Sequence, residues 1–268
     1  DSSNRAVAQG AWAPKTMPVE AGIPLGRITV DISRLAAPQQ YRLVVGLEGT
    51  PFENDWNIWV YPAAPARVEA PGIVIATALD EQTLAKLEAG EKVLLIPSRI
   101  SSPHPKGSFT PVFWNRQWFP QQSCETLGLL CDPRHPALRA FPTSFHSDWQ
   151  WEDIASRSRG LILDSLPREL RPIVQVIDDW NSNRKLSLVF ECRAGKGALL
   201  VCSADLSRNL DQRPAARQLR ASLLEYMNSP AFKPEVLVSE SQLTELFQST
   251  GPSVLANLGA QIDRKSVV

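Results

Sequence analysis

The chain has 268 residues, 43% apolar and 21% charged, with 28 basic and 28 acidic side chains and a formal net charge of zero. This length suits one large domain or two small ones, and the apolar content supports a packed core and excludes global disorder. The absence of a long Lys/Arg run argues against nucleic acid as a partner, and no apolar segment approaches the ~18 residues expected of a membrane-spanning helix.

In chain order, Asp1-Ser2-Ser3-Asn4 is polar and lacks the pattern of a signal peptide, as at a mature, cleaved or trimmed end. The segment to about Pro71 reads as strands. Arg27–Ile32 alternates, Tyr41–Leu47 follows a Pro-Gln-Gln turn, and Trp56–Tyr61 alternates up to Pro62. Three strands without a helical period suggest part of an antiparallel sandwich, with exposed edges and a half-built core. Trp56 and Trp59, three apart on a strand, should face opposite sides, one of them in the core. Pro62–Pro71 reads as a semi-rigid linker.

After it the period changes. Gly72–Thr77 and Lys92–Pro97 are short apolar runs typical of buried parallel strands. Between them Asp80–Ala89 has helical spacing, with Asp80 as cap and Gly90 closing it. This strand–helix–strand unit predicts the start of a doubly wound α/β sheet. Further strands are expected at Gly160–Leu163, Ile173–Ile177, Leu186–Cys192 and Ala198–Ser203. Helices are expected at Ala215–Met227 and at Ser239–Gln248, the latter opened by a capping-box pattern. Ser253–Val268 is weakly patterned and expected to fray.

The chain has four cysteines, too few for a disulfide scaffold at this length. Cys192 and Cys202 flank an expected hairpin that would set them nearly opposite each other. Two buried thiols are the favoured reading and a disulfide the alternative. Cys124 and Cys131 lack a second pair at zinc-site spacing and the glycine framing of a nucleophile elbow, so both read as packing residues. Asp178–Asn183 reads as a turn, too sparse in ligands for calcium. No metal or cofactor is expected.

Chemistry-bearing residues concentrate in Phe113–Trp151, which holds Trp114, Trp118, Trp149, Trp151, His135, His146 and Asp148 within 39 residues. Aromatic and polar side chains on loops usually mark a recognition surface. The candidate binding residues are Trp114, Asn115, Trp118, His146, Asp148, Trp149 and Trp151. Trp149 and Trp151 would make a stacking platform if extended and diverge if helical. His146 with Asp148 and Glu152 is a candidate acid/base group. The competing reading is that Asp148 caps a helix beginning there, with Glu152 on its first turns.

Several strings carry a resemblance. Asn54–Pro62 resembles the closing strand of a β-sandwich in the C-terminal half of bacterial glycoside hydrolase family 2 (β-galactosidase-like) proteins. Pro111–Asn115, Thr126–Leu130, His135–Leu138, Phe141–Thr143, Asp148–Trp151 and Arg171–Val176 resemble the flavodoxin-like, glutamine-amidotransferase-like module that follows it. The resemblance implies a β-sandwich segment over 1–66, a flavodoxin-like α/β domain over 67–236, and a C-terminal helix and tail over 237–268. In that family a catalytic pair of glutamates sits on a (β/α)₈ barrel, which needs roughly 200 residues by itself. The chain has no room for one, so no catalytic glutamate carries over to any position. What is implied is a non-catalytic accessory region, periplasmic or secreted, whose partners are other domains of a larger hydrolase, a second copy, or an oligo- or polysaccharide. The competing classes are a stand-alone carbohydrate-binding module using the Trp149/Trp151 loop, and a hydrolase acting through His146, Asp148 or Glu152.

Overall fold

A strand forms only where a neighbour completes its hydrogen-bond ladder, and the N-terminal third of the chain illustrates this. The computed structural model describes residues 1, 3–63, 70–100, 103–109 and 126–248. It divides into two units, Asp1–Ala64 and Pro65–Val268. In the first, β1 (Gln39–Gly46) and β2 (Glu53–Val60) pair antiparallel, from Gln39 opposite Val60 to Gly46 opposite Glu53. Gly49, with φ 73°, lies in the connecting turn, which is closed by Leu47 N–H donating to Phe52 O. Arg27–Ile32, expected as a strand, is irregular, and Ile28, Val30 and Ile32 are exposed. Its alternation is real, but no strand among the described residues pairs with it. Trp56 is 46% exposed and Trp59 half-buried, so neither is the core residue expected of the pair. The buried anchors are instead Tyr41, whose hydroxyl donates to Ala36 O, and Val60. Most of the expected linker and the C-terminal tail lie outside the described residues.

The second unit is mixed α/β. Its strands are β3 (Ile73–Ala76), β4 (Lys92–Leu95), β5 (Thr126–Cys131), β6 (Leu161–Ile162), β7 (Pro172–Asp178), β8 (Leu186–Ala194) and β9 (Gly197–Cys202). They form one sheet in the order β3-β4-β9-β8-β7-β5, with β6 pairing on β8. Only β3, β4 and β9 are mutually parallel; β8, β7, β6 and β5 join antiparallel. The expectation of a doubly wound parallel sheet therefore fits the β3–β4 unit and not the far half. The reason lies in the connections. A parallel return needs a crossover of a dozen or more residues, whereas β8 and β9 are joined by Gly195-Lys196 alone, with Gly195 at φ 55°. In that hairpin Cys192 faces Leu199 and Cys202 faces Val189, so the two cysteines are not opposed. Both are free and buried, and burial pushes each thiol up to about 12.

Helices cover both faces. Leu94, Val174, Leu188 and Leu200 point to one face, where Trp151, Ile154 and helix α3 (Pro214–Asn228) pack. Val93, Phe190, Leu199 and Val201 point to the other, covered by helices α1 (Glu81–Glu88) and α4 (Glu240–Gln248). This is the period-2 alternation of a sheet buried on both sides. The caps match their sequence signals. The Asp80 carboxylate accepts from Thr83 N–H at 2.9 Å, and Ser239 and Gln242 exchange capping-box bonds at 3.1 and 3.2 Å. Helix α2 (Glu152–Ser156) is short and follows a 3₁₀ turn over Trp149–Trp151.

Candidate functional site

In the described part of the aromatic stretch singled out by the sequence, several chemistry-bearing side chains are taken up by structure. Trp114, Asn115, Trp118 and Cys124 lie outside the described residues. Trp149 and Trp151 sit on the 3₁₀ turn and diverge, so they form no common platform. Trp151 is fully buried, its ring edge-on to Phe141 at 4.9 Å and its Nε1–H donating to Thr143 Oγ1 at 2.8 Å. It is a core residue, which removes it from the binding set. Trp149 is 71% exposed and packs on Phe109 at 5.1 Å between ring centroids.

Asp148 is the N-cap of that turn. Its carboxylate accepts from Gln150 N–H at 3.3 Å and from Ser144 N–H at 3.4 Å. Burial raises its carboxyl above the ordinary value against the pull of those bonds. His146 is exposed; its Nδ1 lies 3.2 Å from Ser147 O, and its backbone forms a bridge with Leu130. Glu152 opens α2 and is exposed, with acidic charge at the first turn as the helix dipole favours. Cys131 donates to Ser144 O at 3.3 Å, and burial with Asp148 nearby pushes its thiol up to about 11, the reverse of an activated nucleophile. His135 caps another 3₁₀ turn, its Nδ1 accepting from Ala137 N–H at 3.2 Å. Among the described residues no three His, Cys, Asp or Glu side chains could hold a metal.

A cavity of the second unit lies elsewhere. A cleft of about 930 Å³ opens beyond the carboxyl ends of β4 and β9. Its walls come from four segments: Pro97–Ile100 after β4, Lys106–Phe109, Ser156–Arg159 after α2, and Ser203, Asp205 and Arg208 after β9. Ligands of open α/β sheets gather at this edge because strand connections leave toward opposite faces there. The chain leaving β3 enters α1 on one face, and the chain leaving β9 reaches α3 on the other.

The segments are tied by backbone. Gly107 N–H donates to Ser158 O, Gly160 N–H to Pro105 O and Asp205 N–H to Arg157 O, each within 2.9–3.0 Å. Gly107 has no room for a side chain, because a methyl group would collide with the Ala155 carbonyl and Ser158 Oγ. Ser203 Oγ, at the end of β9, donates to Arg159 O at 2.6 Å.

Behind the cleft lies Arg213, 7% exposed. Its Nε donates to Asp153 at 2.6 Å, and its Nη1 to Asp205 O at 2.8 Å and Arg208 O at 3.0 Å. One guanidinium so fastens the Asp205–Arg208 loop to α2. Arg220 adds a bond to Leu206 O at 3.0 Å. Burial would raise the Asp205 carboxyl, but bonds from Ser207 N–H, Arg208 N–H and the Arg208 guanidinium outweigh it and hold the group below its ordinary value. The one carboxylate among the described lining residues is thus a firmly ionised loop staple, unsuited to donating a proton at neutral pH. Arg157 is paired with Asp153 at 2.8 Å, whereas Arg99 is exposed and makes no hydrogen bond or ion pair among the described residues.

None of these lining residues stood out in the sequence, because single arginines and serines carry no motif. The available signal was positional: Ser98-Arg99 and Ser203-Ala204-Asp205 follow directly on two apolar strand runs whose carboxyl ends were predictable. Residues 74–248 match a family described as "Domain of unknown function (DUF8487)", and residues 1–62 match one described as "Domain of unknown function (DUF8488)". No curated protein matches the chain.

Proposed function

The chain belongs to the DUF8487 family, and from that premise we propose that it is a non-catalytic accessory region of a carbohydrate-degrading protein, similar to the C-terminal part of glycoside hydrolase family 2 proteins. In this reading it holds a ligand in the strand-end cleft or borders the sugar site of a neighbouring domain. The supporting observation is the chemistry of the cleft. It offers cations and hydroxyls for recognition, while, among the described residues, its one lining carboxylate is held by Arg208 and backbone N–H groups and no histidine or cysteine lines it. A glycosidase needs two carboxyl groups flanking the bond, one of them able to give a proton.

The parallel β3–α1–β4 unit, continued by β9, supports a distant kinship with flavodoxin-like modules, from which the antiparallel half departs. A periplasmic or secreted location follows from the same proposal. Among the described residues no helix is long and apolar enough to cross a membrane. The test is direct: the purified chain is incubated with a panel of aryl-glycosides. No turnover is expected, and turnover that survives further purification and is lost in an Asp148→Asn variant would replace the accessory reading with the hydrolase one.

A further inference from the structure

We propose that the first unit is a surface for reciprocal strand exchange between two copies of this chain. Arg27–Ile32 of one copy pairs antiparallel with the open edge of β1 in the second, and the second copy returns the same strand. The inference stands apart from the strand-end cleft and from the accessory reading.

The first argument is exposed apolar surface. Among the described residues, thirteen of the nineteen exposed large apolar side chains lie in Asp1–Ala64. Apolar surface concentrated in this way marks an interface. The hairpin orders part of it. Residues directly opposite on antiparallel strands share a face, so Tyr41/Ile58, Leu43/Trp56 and Val45/Asn54 line one side. That side is apolar but for Asn54, and Trp56 and Ile58 on it are 46% and 43% exposed. The other side is mixed and carries the Arg42–Asp55 ion pair at 3.9 Å. Among the described residues β1 pairs with β2 alone, and two strands without a third are marginal in water.

The second argument names the occupant. Arg27–Ile32 has the alternation of a half-buried strand, yet its apolar row, Ile28, Val30 and Ile32, is exposed. One antiparallel register sets Ile32, Val30 and Ile28 opposite Tyr41, Leu43 and Val45, and the same register sets Asp31 opposite Arg42. No other antiparallel register on either edge of the hairpin both aligns all three apolar residues with apolar ones and pairs opposite charges. The strand that the sheet lacks is thus carried by the chain itself. Within one copy it does not reach that edge. Leu35 N–H donates to Ile32 O, turning the chain directly after the segment, and the Tyr41 hydroxyl holds Ala36 O over the apolar face. A second copy brings the same segment to the edge without that constraint, and a two-fold exchange closes both β1 edges at once.

Light scattering after size-exclusion chromatography of the full chain, combined with hydrogen exchange, tests this. At about 50 µM the chain should elute as a dimer, with the amides of 27–32 protected. Val30→Glu places a charge in the apolar row and should raise the dimer dissociation constant at least about tenfold, with loss of that protection. Thr29→Glu, one residue away on the opposite face, should change the constant by less than about threefold. Both side chains are exposed in the single copy, and unchanged circular dichroism verifies that the variants fold. A monomer at that concentration overturns the proposal. So does a dimer in which 27–32 stays unprotected, which would pair through another surface, and so does a dimer weakened equally by the two substitutions. Protection of 27–32 in a monomer also overturns it, since the strand would then close on its own hairpin.

Discussion

The segment from Phe141 to Trp151 and the cleft at the ends of β4 and β9 make an instructive pair. The first is rich in residue types associated with chemistry, and the fold has spent several of them. Asp148 holds backbone N–H groups and Trp151 fills core, while His146 and Trp149 stay exposed. The second is built from ordinary arginines, serines and a glycine, yet it is where donors remain turned toward solvent. Side-chain type alone therefore misdirects. What marks a site is a polar group that the backbone and its neighbours have not already satisfied.

The largest expected effect sharpens this contrast within two residues of each other. Trp151→Ala should cost about 3–5 kcal/mol of stability in urea unfolding, as for other buried large side chains, while Trp149→Ala should stay within about 0.5 kcal/mol. Equal costs would erase the distinction between a spent and an available aromatic. Next comes the staple behind the cleft. Arg213→Ala leaves Asp205 and Asp153 without their shared guanidinium and should cost about 3 kcal/mol, with weakened ligand binding. Gly107→Ala pushes its segment off Ala155 and Ser158; about 1–3 kcal/mol is expected from overpacking. An unchanged melt would mean that the cleft wall yields freely.

The smallest effect is a pH dependence. His104 accepts from Ile162 N–H at Nδ1 (3.2 Å), so its Nε2 carries the proton donated to Leu246 O (2.7 Å). Burial holds its pKa below the ordinary 6.5, partly offset by the Leu246 carbonyl and reinforced by Arg159 and Arg184. A depressed histidine favours its neutral form in the fold. The stability it confers is present above about pH 6.5 and lost as pH falls through the folded value. His135, lowered by burial, acts in the same direction. Asp148 and Glu191, both raised by burial, act oppositely, and only where carboxylates titrate. Melting temperatures should therefore fall from pH 7 to pH 5.5, and His104→Gln should flatten that slope. A slope left intact by the substitution would remove His104 from the account.

Much of the second unit was legible because its information is local and periodic. The apolar runs of β4 and β9, the Asp80 cap and the Ser239–Gln242 capping box are readable within a few residues. What could not be read was strand direction and partnership. Nothing in Ile173–Ile177 says which way it runs beside Leu186–Cys192, and nothing in Arg27–Ile32 says that none of the described strands will pair with it. The cleft was hidden for a related reason. Lys106, Arg159 and Asp205 converge only through contacts across about 50 to 100 residues of chain, and each looks like an unremarkable surface charge in its own neighbourhood.

His146 closes the comparison from another side. Phe145, His146 and Ser147 run along the outer side of β5, with Cys131 N–H donating to Phe145 O and Ser147 N–H to Leu129 O. A strand at the border of a sheet otherwise presents a row of open donors and acceptors to any passing chain. Here the protein sheathes that border with its own backbone. Its bonds come from main-chain groups and from the Ser147 hydroxyl, which accepts from Leu129 N–H at 3.3 Å; none comes from the imidazole at 146.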